Sequence, residues 1–283
     1  MNNNPLASVG HVLPCVGLIA LGSLACLQPA VAEDFNLIEQ TGHVSLGTFT
    51  NRSALKIRVD GESQEGTKFN WGDTFGEGDV TRFRLDGVYR FNSRHHLRVM
   101  YTDYQRQSTR TLDQDVIWGD NLLLAGSSAT GKSSFRIIEA AYEYAFMHSD
   151  RMELAGTVGV HFTTFSAKLT AELQTPDGTV TGTLGGKAPV KAPLPVLGLR
   201  GMWRLGNNFY LDAQAQYFAL AIDDLNGHLV NYRAAVTWQP RKLVGIGVGY
   251  DSFNVNVDAK KPTFTGTMDW TYQGPQVFFN FAF

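Results

Sequence analysis

Apolar and polar residues alternate along most of the chain from residue 43 to its end. Alternation with a period of two is typical of β-strands that have a different environment on each face. Residues 81–91 show it most clearly, with Phe83 and Leu85 on one face and Arg84 and Asp86 on the other. One face suits lipid and the other suits water, as expected for a strand in the wall of a membrane barrel.

Ten such segments are long enough to cross a bilayer as tilted strands, for which about 9 to 11 residues are needed. Short turns follow every second segment, whereas long connections follow the first, third and fifth. Short periplasmic turns and longer outer loops predict an all-β, antiparallel up-and-down transmembrane barrel with both termini in the periplasm. Eight strands would result if the first segment were not a full strand, and twelve if residues 163–191 were split. The ten segments are residues 43–60, 81–91, 97–106, 138–146, 152–162, 196–204, 209–217, 228–238, 244–251 and 268–283.

The last segment does not keep its apolar residues on one face. Trp270 and Tyr272 have even numbers, whereas Phe279, Phe281 and Phe283 have odd numbers. If all of these side chains face lipid, the strand must change phase at Gly274-Pro275. The sequence therefore predicts a bulge or kink there.

The N-terminus has the features of an export signal. An apolar stretch, Val12 to Leu27, precedes Ala30-Val31-Ala32, an A-x-A site that is cleavable before Glu33. The expected domains are therefore a signal peptide at residues 1–32 and a barrel at residues 33–283. The segment Met1 to His11 departs from this pattern because it contains no Lys or Arg.

Composition narrows the class further. Both cysteines, Cys15 and Cys26, lie in the predicted signal, so the mature chain has no thiol chemistry. A lipoprotein alternative at Cys26 is weakened by Ser23, where a lipobox normally has an aliphatic residue. The balance of 24 basic and 26 acidic residues gives no overall field suited to nucleic acid. Past the signal no run of about 18 apolar residues occurs, so a membrane would have to be crossed by strands.

The final strand, Gly274 to Phe283, ends on alternating aromatic residues. It resembles the closing strand of Gram-negative outer-membrane β-barrels. This resemblance, which concerns architecture and no particular subfamily, implies that Phe279, Phe281 and Phe283 are recognised by the barrel assembly machinery. It also implies an outer-membrane location.

Charged residues at the inward-facing positions form the main candidate site. A barrel of 8 to 10 strands has an interior barely wider than its side chains, so opposite charges should pair and fill it. The sequence therefore predicts a charge-plugged lumen; the alternative is a narrow pathway for ions or small solutes. The predicted network consists of Arg58, Arg82, Arg84, Asp86, Arg98, Glu139, Glu143, Glu153, Arg200, Asp212, Arg233 and Asp251.

Residues 126–133 match the phosphate-loop pattern G-x-x-x-x-G-K-[ST]. A phosphate loop requires a following helix, whose N-terminal N–H groups hold the phosphates. Phe135 to Phe146 instead continues as an alternating strand, so we expect a flexible outer loop and no nucleotide cofactor. The acidic first loop, residues 61–79, does not fit calcium-ligand spacing, and no metal site is predicted.

The resulting hypothesis is a structural or surface-interaction barrel that acts through outer loops 61–79, 107–132 and 167–191. Trp71 and Phe75 in the first loop are candidates for contact with a partner or with lipopolysaccharide. Expected partners are outer-membrane lipid, lipopolysaccharide and the assembly machinery, with no nucleic acid and with an extracellular ligand that the sequence does not identify. A second alternative, a hydrolase at the outer rim acting on lipid or peptide, depends on His228 near Asp223 and Asp224.

Overall fold

A computed structural model of the protein describes residues 35–76, 80–174, 180–222, 225–261 and 264–283. The predicted signal peptide, residues 1–32, lies outside the described residues, as does the predicted hairpin turn Pro176-Asp177-Gly178. None of the helices within the described ranges combines the length and the apolar character that crossing a membrane requires.

Ten antiparallel strands form a closed barrel, which confirms the predicted fold class and strand number. Each strand pairs with its neighbours in sequence, and β1 closes the wall against β10. Residues 163–174 and 180–191 lengthen β5 and β6 instead of forming two additional strands. The strands are β1 (Gly42–Val59), β2 (Val80–Arg90), β3 (His95–Thr111), β4 (Ser128–His148), β5 (Met152–Gln174), β6 (Val180–Gly206), β7 (Phe209–Ile222), β8 (Leu225–Trp238), β9 (Gly245–Lys261) and β10 (Phe264–Ala282).

Short turns join the strands at one rim, which we call the lower rim. The turn between β6 and β7 has positive φ angles at Gly206 (105°), Asn207 (50°) and Asn208 (65°). Glycine and asparagine adopt this left-handed region at least cost, so these residues permit the strands to reverse tightly. The predicted turn at Gly206-Asn207-Asn208 is confirmed.

About halfway up the strands, the apolar side chains change from the outer face of the wall to its inner face. On β10, Phe279 and Phe281 are exposed on the outside near the lower rim, whereas the outward residues Asp269 and Thr271 nearer the other rim are polar. Inside, the lower half is lined by charged residues and the upper half by a hydrophobic cluster that includes Tyr272. The lower half is therefore built for lipid, and the upper half has the pattern of a water-soluble barrel.

This exchange corrects the predicted phase change at Gly274-Pro275. Burial alternates without interruption from Phe264 to Ala282, and the pairing with β9 has a continuous register. Trp270 and Tyr272 face the interior, where they pack against other aromatic rings. The prediction was wrong because it assumed that every apolar side chain of this strand faces lipid.

Aromatic rings fill the upper interior. Phe253 stacks on Tyr272 with centroids 5.0 Å apart, and Phe135 meets Trp270 at 3.8 Å. Aromatic pairs at such distances contribute beyond the burial of their area. This packing closes the upper lumen with apolar side chains.

The outer loops cover the mouth of the barrel. Residues 69–70 form a short strand beside β1, followed by the one-turn helix α1 (Trp71–Phe75) and, later in the chain, a small hairpin over residues 116–123. Trp71 and Phe75 are 4% and 1% exposed, and Trp118 packs against Trp71 at 6.0 Å. The predicted contact of Trp71 and Phe75 with an external partner is therefore wrong, because both rings are part of the cap.

Two further predicted loops are largely sheet. From Ser128 onward the phosphate-loop-like segment belongs to β4, so no helix follows it and the expected flexible loop is wrong for that part. β3, which ends at Thr111, and β5, which ends at Gln174, both continue well beyond the lipid-facing band. Residues 107–111, 128–132, 167–174 and 180–191 are thus part of the tall upper wall, whereas residues 112–127, with their hairpin at 116–123, connect β3 to β4.

The segment before β1 covers the lower opening. Leu37 and Ile38 of the 3₁₀ turn Leu37–Glu39 are buried against Met202 and Tyr210. The Tyr210 hydroxyl donates to the carbonyl oxygen of Phe35 (3.1 Å) and accepts from the N–H of Leu37 (3.1 Å). These bonds fix the segment at the lower opening.

We expect Phe253→Ala to lower the free energy of unfolding by about 3–5 kcal/mol, because it removes a buried ring from the upper cluster. The measurement is the temperature at which the folded band is lost in a heat-modifiability gel. Val248→Ala is the control, since Val248 is 58% exposed on the outer face of the same strand. Equal losses in the two variants would contradict the structural role of the upper cluster.

Candidate functional site

The inward faces of the strands carry a balanced set of buried charges. Among the described residues, six arginines and six carboxylates are buried inside the wall. Because opposite charges are equal in number, the interior can neutralise itself without external ions. The set consists of Arg82, Arg84, Arg90, Arg98, Arg200, Arg233, Asp86, Glu139, Glu143, Glu153, Asp212 and Asp251.

Arg84 is the centre of one group. It lies two residues from Asp86 on β2, so the period of the strand puts both side chains on the same face. Its Nε donates to Asp86 Oδ2 at 2.6 Å, and its Nη1 donates inside the barrel to Asp251 Oδ2 on β9 at 2.7 Å. Arg98 on β3 adds a bond from Nη2 to Asp86 Oδ1 at 3.2 Å. Four residues from three strands are thereby joined.

Arg200 on β6 is the centre of the second group. It lies 2.8 Å from Asp212, 3.4 Å from Glu143 and 3.3 Å from Glu153. Arg233 joins the same group through Asp212 at 2.8 Å. One guanidinium thus neutralises carboxylates from three different strands, which fixes those strands relative to one another.

Histidine and amide side chains complete this network, and sequence reasoning missed most of them. His96 lies in β3, fully buried, 3.9 Å from Glu143 and 3.8 Å from Glu153. His161 approaches Glu139 at 3.5 Å, and Gln216 donates to the same carboxylate at 2.6 Å. His96 and Arg98 both have even numbers and therefore share one face of the strand, which could have placed His96 inside the barrel.

Two predicted members of the network lie elsewhere. Arg58 is on the outward face of β1 near the outer rim, where it pairs with Asp60 and Glu65, so its assignment to the lumen was wrong. It was misplaced because a charged residue on the upper wall faces water outside the barrel. Arg82 faces inward but contacts rings, with its guanidinium carbon 3.9 Å from the Tyr104 centroid and 5.4 Å from that of Tyr272.

The remaining predicted members face the interior, where Glu139 contacts His161 and Gln216 and the others form the two ion-paired groups. The space left between them is small: a cavity bordered by Asp86, Arg98, Arg200, Asp212 and Arg233 has a volume of ≈ 20 Å³. A volume of this size holds about one water molecule. Among the described residues, no group of three or more His, Cys, Asp or Glu side chains is arranged to hold a metal ion.

The arrangement can therefore seal and stiffen the wall. Glu139 is held by His161 and Gln216, and each of the other buried charges is close to an opposite charge or an aromatic face. Removing one partner of such a pair is strongly destabilising. Tyr104 and Tyr272 provide the aromatic faces for Arg82. The lower lumen is consequently a closely packed layer of paired charges.

Comparison with known proteins identifies the architecture. No protein-family model matches the sequence, and no curated protein matches it closely enough to be a relative. Among solved structures, the outer-membrane protease OmpT from Escherichia coli is similar with a TM-score of 0.58 and 10% identity, covering 89% of this chain and 100% of the protease chain.

Two other similar structures have lower scores. The translocator domain of the autotransporter NalP from Neisseria meningitidis has a TM-score of 0.41 at 10% identity, covering 86% of this chain and 89% of the other. The toluene transporter TodX from Pseudomonas putida has a TM-score of 0.37 at 9% identity, covering 86% of this chain and 90% of the other. Scores this low carry no argument, whereas the likeness to the protease supports the fold. The chain thus has the fold of a small outer-membrane β-barrel.

Proposed function

We propose that this protein is a closed outer-membrane barrel with a structural or surface-interaction role, and that it neither conducts solutes nor catalyses a reaction. The observation that carries this proposal is the series of seals along its axis. From the lower rim upward they are the Phe35–Ile38 segment, the charged layer, the aromatic cluster and the cap containing Trp71 and Trp118. A solute would have to displace all four.

The proposed location is the outer membrane, with the lower rim in the periplasm. Exposed apolar side chains such as Phe83, Val158 and Leu199 face outward in the lower half, where lipid would contact them. Gly42 and Phe283 exchange backbone hydrogen bonds of 3.1 and 3.0 Å, so both ends of the wall meet at the same rim. Short turns at that rim support its assignment to the periplasm, and residues 1–32 would provide the export signal.

The surface for interaction would be the cap and the tall upper wall. A cavity of ≈ 220 Å³ lies between the first loop and the segment after β3. It is bordered by the polar residues Asn70, Asp73, Thr74, Asp113 and Gln114 and by the apolar residues Phe69, Leu112 and Val116. Its mixed lining and its position outside the sealed lumen support recognition of an extracellular ligand by the loops. This cavity is much larger than the space within the charged layer.

The second interaction that we propose is assembly. Phe279, Phe281 and Phe283 are 55%, 41% and 48% exposed on the outward face of the closing strand. An exposed aromatic edge of this kind is available to the barrel assembly machinery before the wall closes. The three residues therefore keep their predicted role as the assembly signal.

The hydrolase alternative gains no support from the described geometry. His228 is exposed on β8, and its register neighbours are Ala219 and Asn256. Asp223 and Asp224, on which the hypothesis also depends, lie outside the described residues. A rim hydrolase therefore stays a prediction that loss of lipid or peptide hydrolysis in His228→Ala would test.

We expect the refolded barrel, residues 33–283, to be electrically silent in planar bilayers, because the cavity between Arg98, Arg200 and Arg233 has room for about one water molecule. The measurement is single-channel conductance of protein whose folded state has been verified by its heat-modifiable gel migration. Steady, charge-selective current steps would contradict the closed lumen and favour the narrow-pore alternative.

Charge reversal at Arg200 separates a plug from a pore. Arg200→Glu places a further carboxylate beside Glu143, Glu153 and Asp212, and we expect a loss of at least about 3 kcal/mol in the free energy of unfolding. Gel-monitored thermal unfolding measures this loss, with Arg241→Glu in an exposed turn as the control. If Arg200→Glu does not fold, Arg200→Met provides the same test. Unchanged stability with altered ion selectivity would favour a pore.

For the assembly signal, we expect Phe283→Ala to reduce the amount of folded protein in the outer membrane of a Gram-negative host several-fold. Refolding of the purified variant into detergent should remain close to that of the unmodified protein, because Phe283 is half exposed and packs little inside the wall. Fractionation of cells and refolding yield are the two measurements. Equal losses in both would point to a packing defect and not to recognition.

A further inference from the structure

A cluster of positive charge lies on the outer face of the wall, immediately above its lipid-facing band. Lys132 and Arg136 on β4 are exposed, and so is Lys168 on β5. The register places Lys132 directly opposite Lys168. Opposite positions of an antiparallel pair have Cβ atoms about 5 Å apart, so two like charges there repel each other unless an anion lies between them.

The backbone register places two lysines of a third strand at the same levels of the sheet. Lys168 is paired with Lys187 on β6, and Thr164, which is opposite Arg136, is paired with Lys191. Basic residues thus occur at two levels of the sheet that are four residues apart along β4, with the row of Ser134 and Ser166 between them. In the described part of the chain, no ion pair involves Lys132, Arg136 or Lys168, although Asp103 is the register partner of Arg136 on β3.

The height of the cluster indicates its occupant. Arg136 is the next outward residue after Ile138, which is 46% exposed and belongs to the lipid-facing band. Lys132 lies about 13 Å further along the strand, since strands rise by about 3.3 Å per residue. On β5, Phe162 is the last large apolar residue on the outside before Lys168. A molecule that follows this surface would have acyl chains below and anionic groups above.

We propose that Lys132, Arg136 and Lys168 form a binding site for the phosphate groups of a phosphorylated, acylated glycolipid of the outer leaflet. The lysine of the phosphate-loop-like motif would then contact phosphate, but on the flat outer face of a strand and with no nucleotide involved. The inference rests on the proposed outer-membrane location, and it is independent of whether the lumen is closed. It assigns the predicted lipopolysaccharide contact to this cluster in place of Trp71 and Phe75.

The experiment measures binding of diphosphorylated lipid A to the refolded protein in detergent by native mass spectrometry. We expect Lys132→Ala/Lys168→Ala to bind about 25-fold more weakly, because each basic residue near an anionic lipid surface contributes about fivefold in affinity. The conservative pair Lys132→Arg/Lys168→Arg should keep the affinity. Lys56→Ala is the matched control, since Lys56 is also exposed on the outer wall but has Asp269 opposite.

Two further probes identify the source of the anion. The same glycolipid without phosphates should bind as weakly to the unmodified protein as lipid A binds to the double variant. The deacylated, phosphorylated sugar should also bind weakly, because it lacks the chains that contact the lipid-facing band. Equal affinity for the dephosphorylated lipid would overturn the phosphate site, and equal affinity for the deacylated sugar would overturn the assignment to a lipid.

The remaining outcomes are equally decisive. Unchanged lipid A binding in the double alanine variant, or an equal loss in Lys56→Ala, would also overturn the proposal. Heat-modifiable migration verifies that each variant is folded. Conductance of the same samples tests the closed lumen separately, so failure of the glycolipid site and failure of the proposed function are distinguishable.

Discussion

The two faces of every strand must each suit their surroundings, and those surroundings change along the length of the barrel. In the lower half, lipid outside requires apolar side chains there, so charges are confined to the interior. In the upper half the outer face is polar, and the apolar residues move inside. β10 carries both arrangements in one uninterrupted strand, with Phe279 outside below and Trp270 inside above. The charged layer, the aromatic cluster and the cap all follow from this exchange.

The exchange also explains which parts of the structure the sequence could predict. Alternation gives the two faces of a strand without any tertiary information, so the ten strands and the inward positions of Arg84, Asp86 and Arg200 were predicted correctly. It does not say what lies beyond each face. Assigning apolar residues to lipid misplaced Trp270 and Tyr272, and assigning charged residues to the lumen misplaced Arg58.

The partners within the charged layer were beyond sequence reasoning for a different reason. Arg84 and Asp86 are neighbours on one strand, but the contact of Arg84 with Asp251 joins residues 167 positions apart. Such contacts depend on the closure of the barrel, as does the packing of Trp71 into the mouth. Local pattern can therefore nominate the members of the interior, while their pairing requires the three-dimensional structure.

Closure of the wall by β1 and β10 has a consequence for folding. These strands are the first and last of the barrel, and their pairing connects residues such as His43 and Ala282 from opposite ends of the sheet. Pairing over so long a stretch of chain is entropically costly and slow. Until it occurs, both strands have unpaired edges that invite pairing with other chains. The barrel is thus most exposed to aggregation immediately before β1 pairs with β10. Partners that protect it must therefore shorten the lifetime of the open sheet.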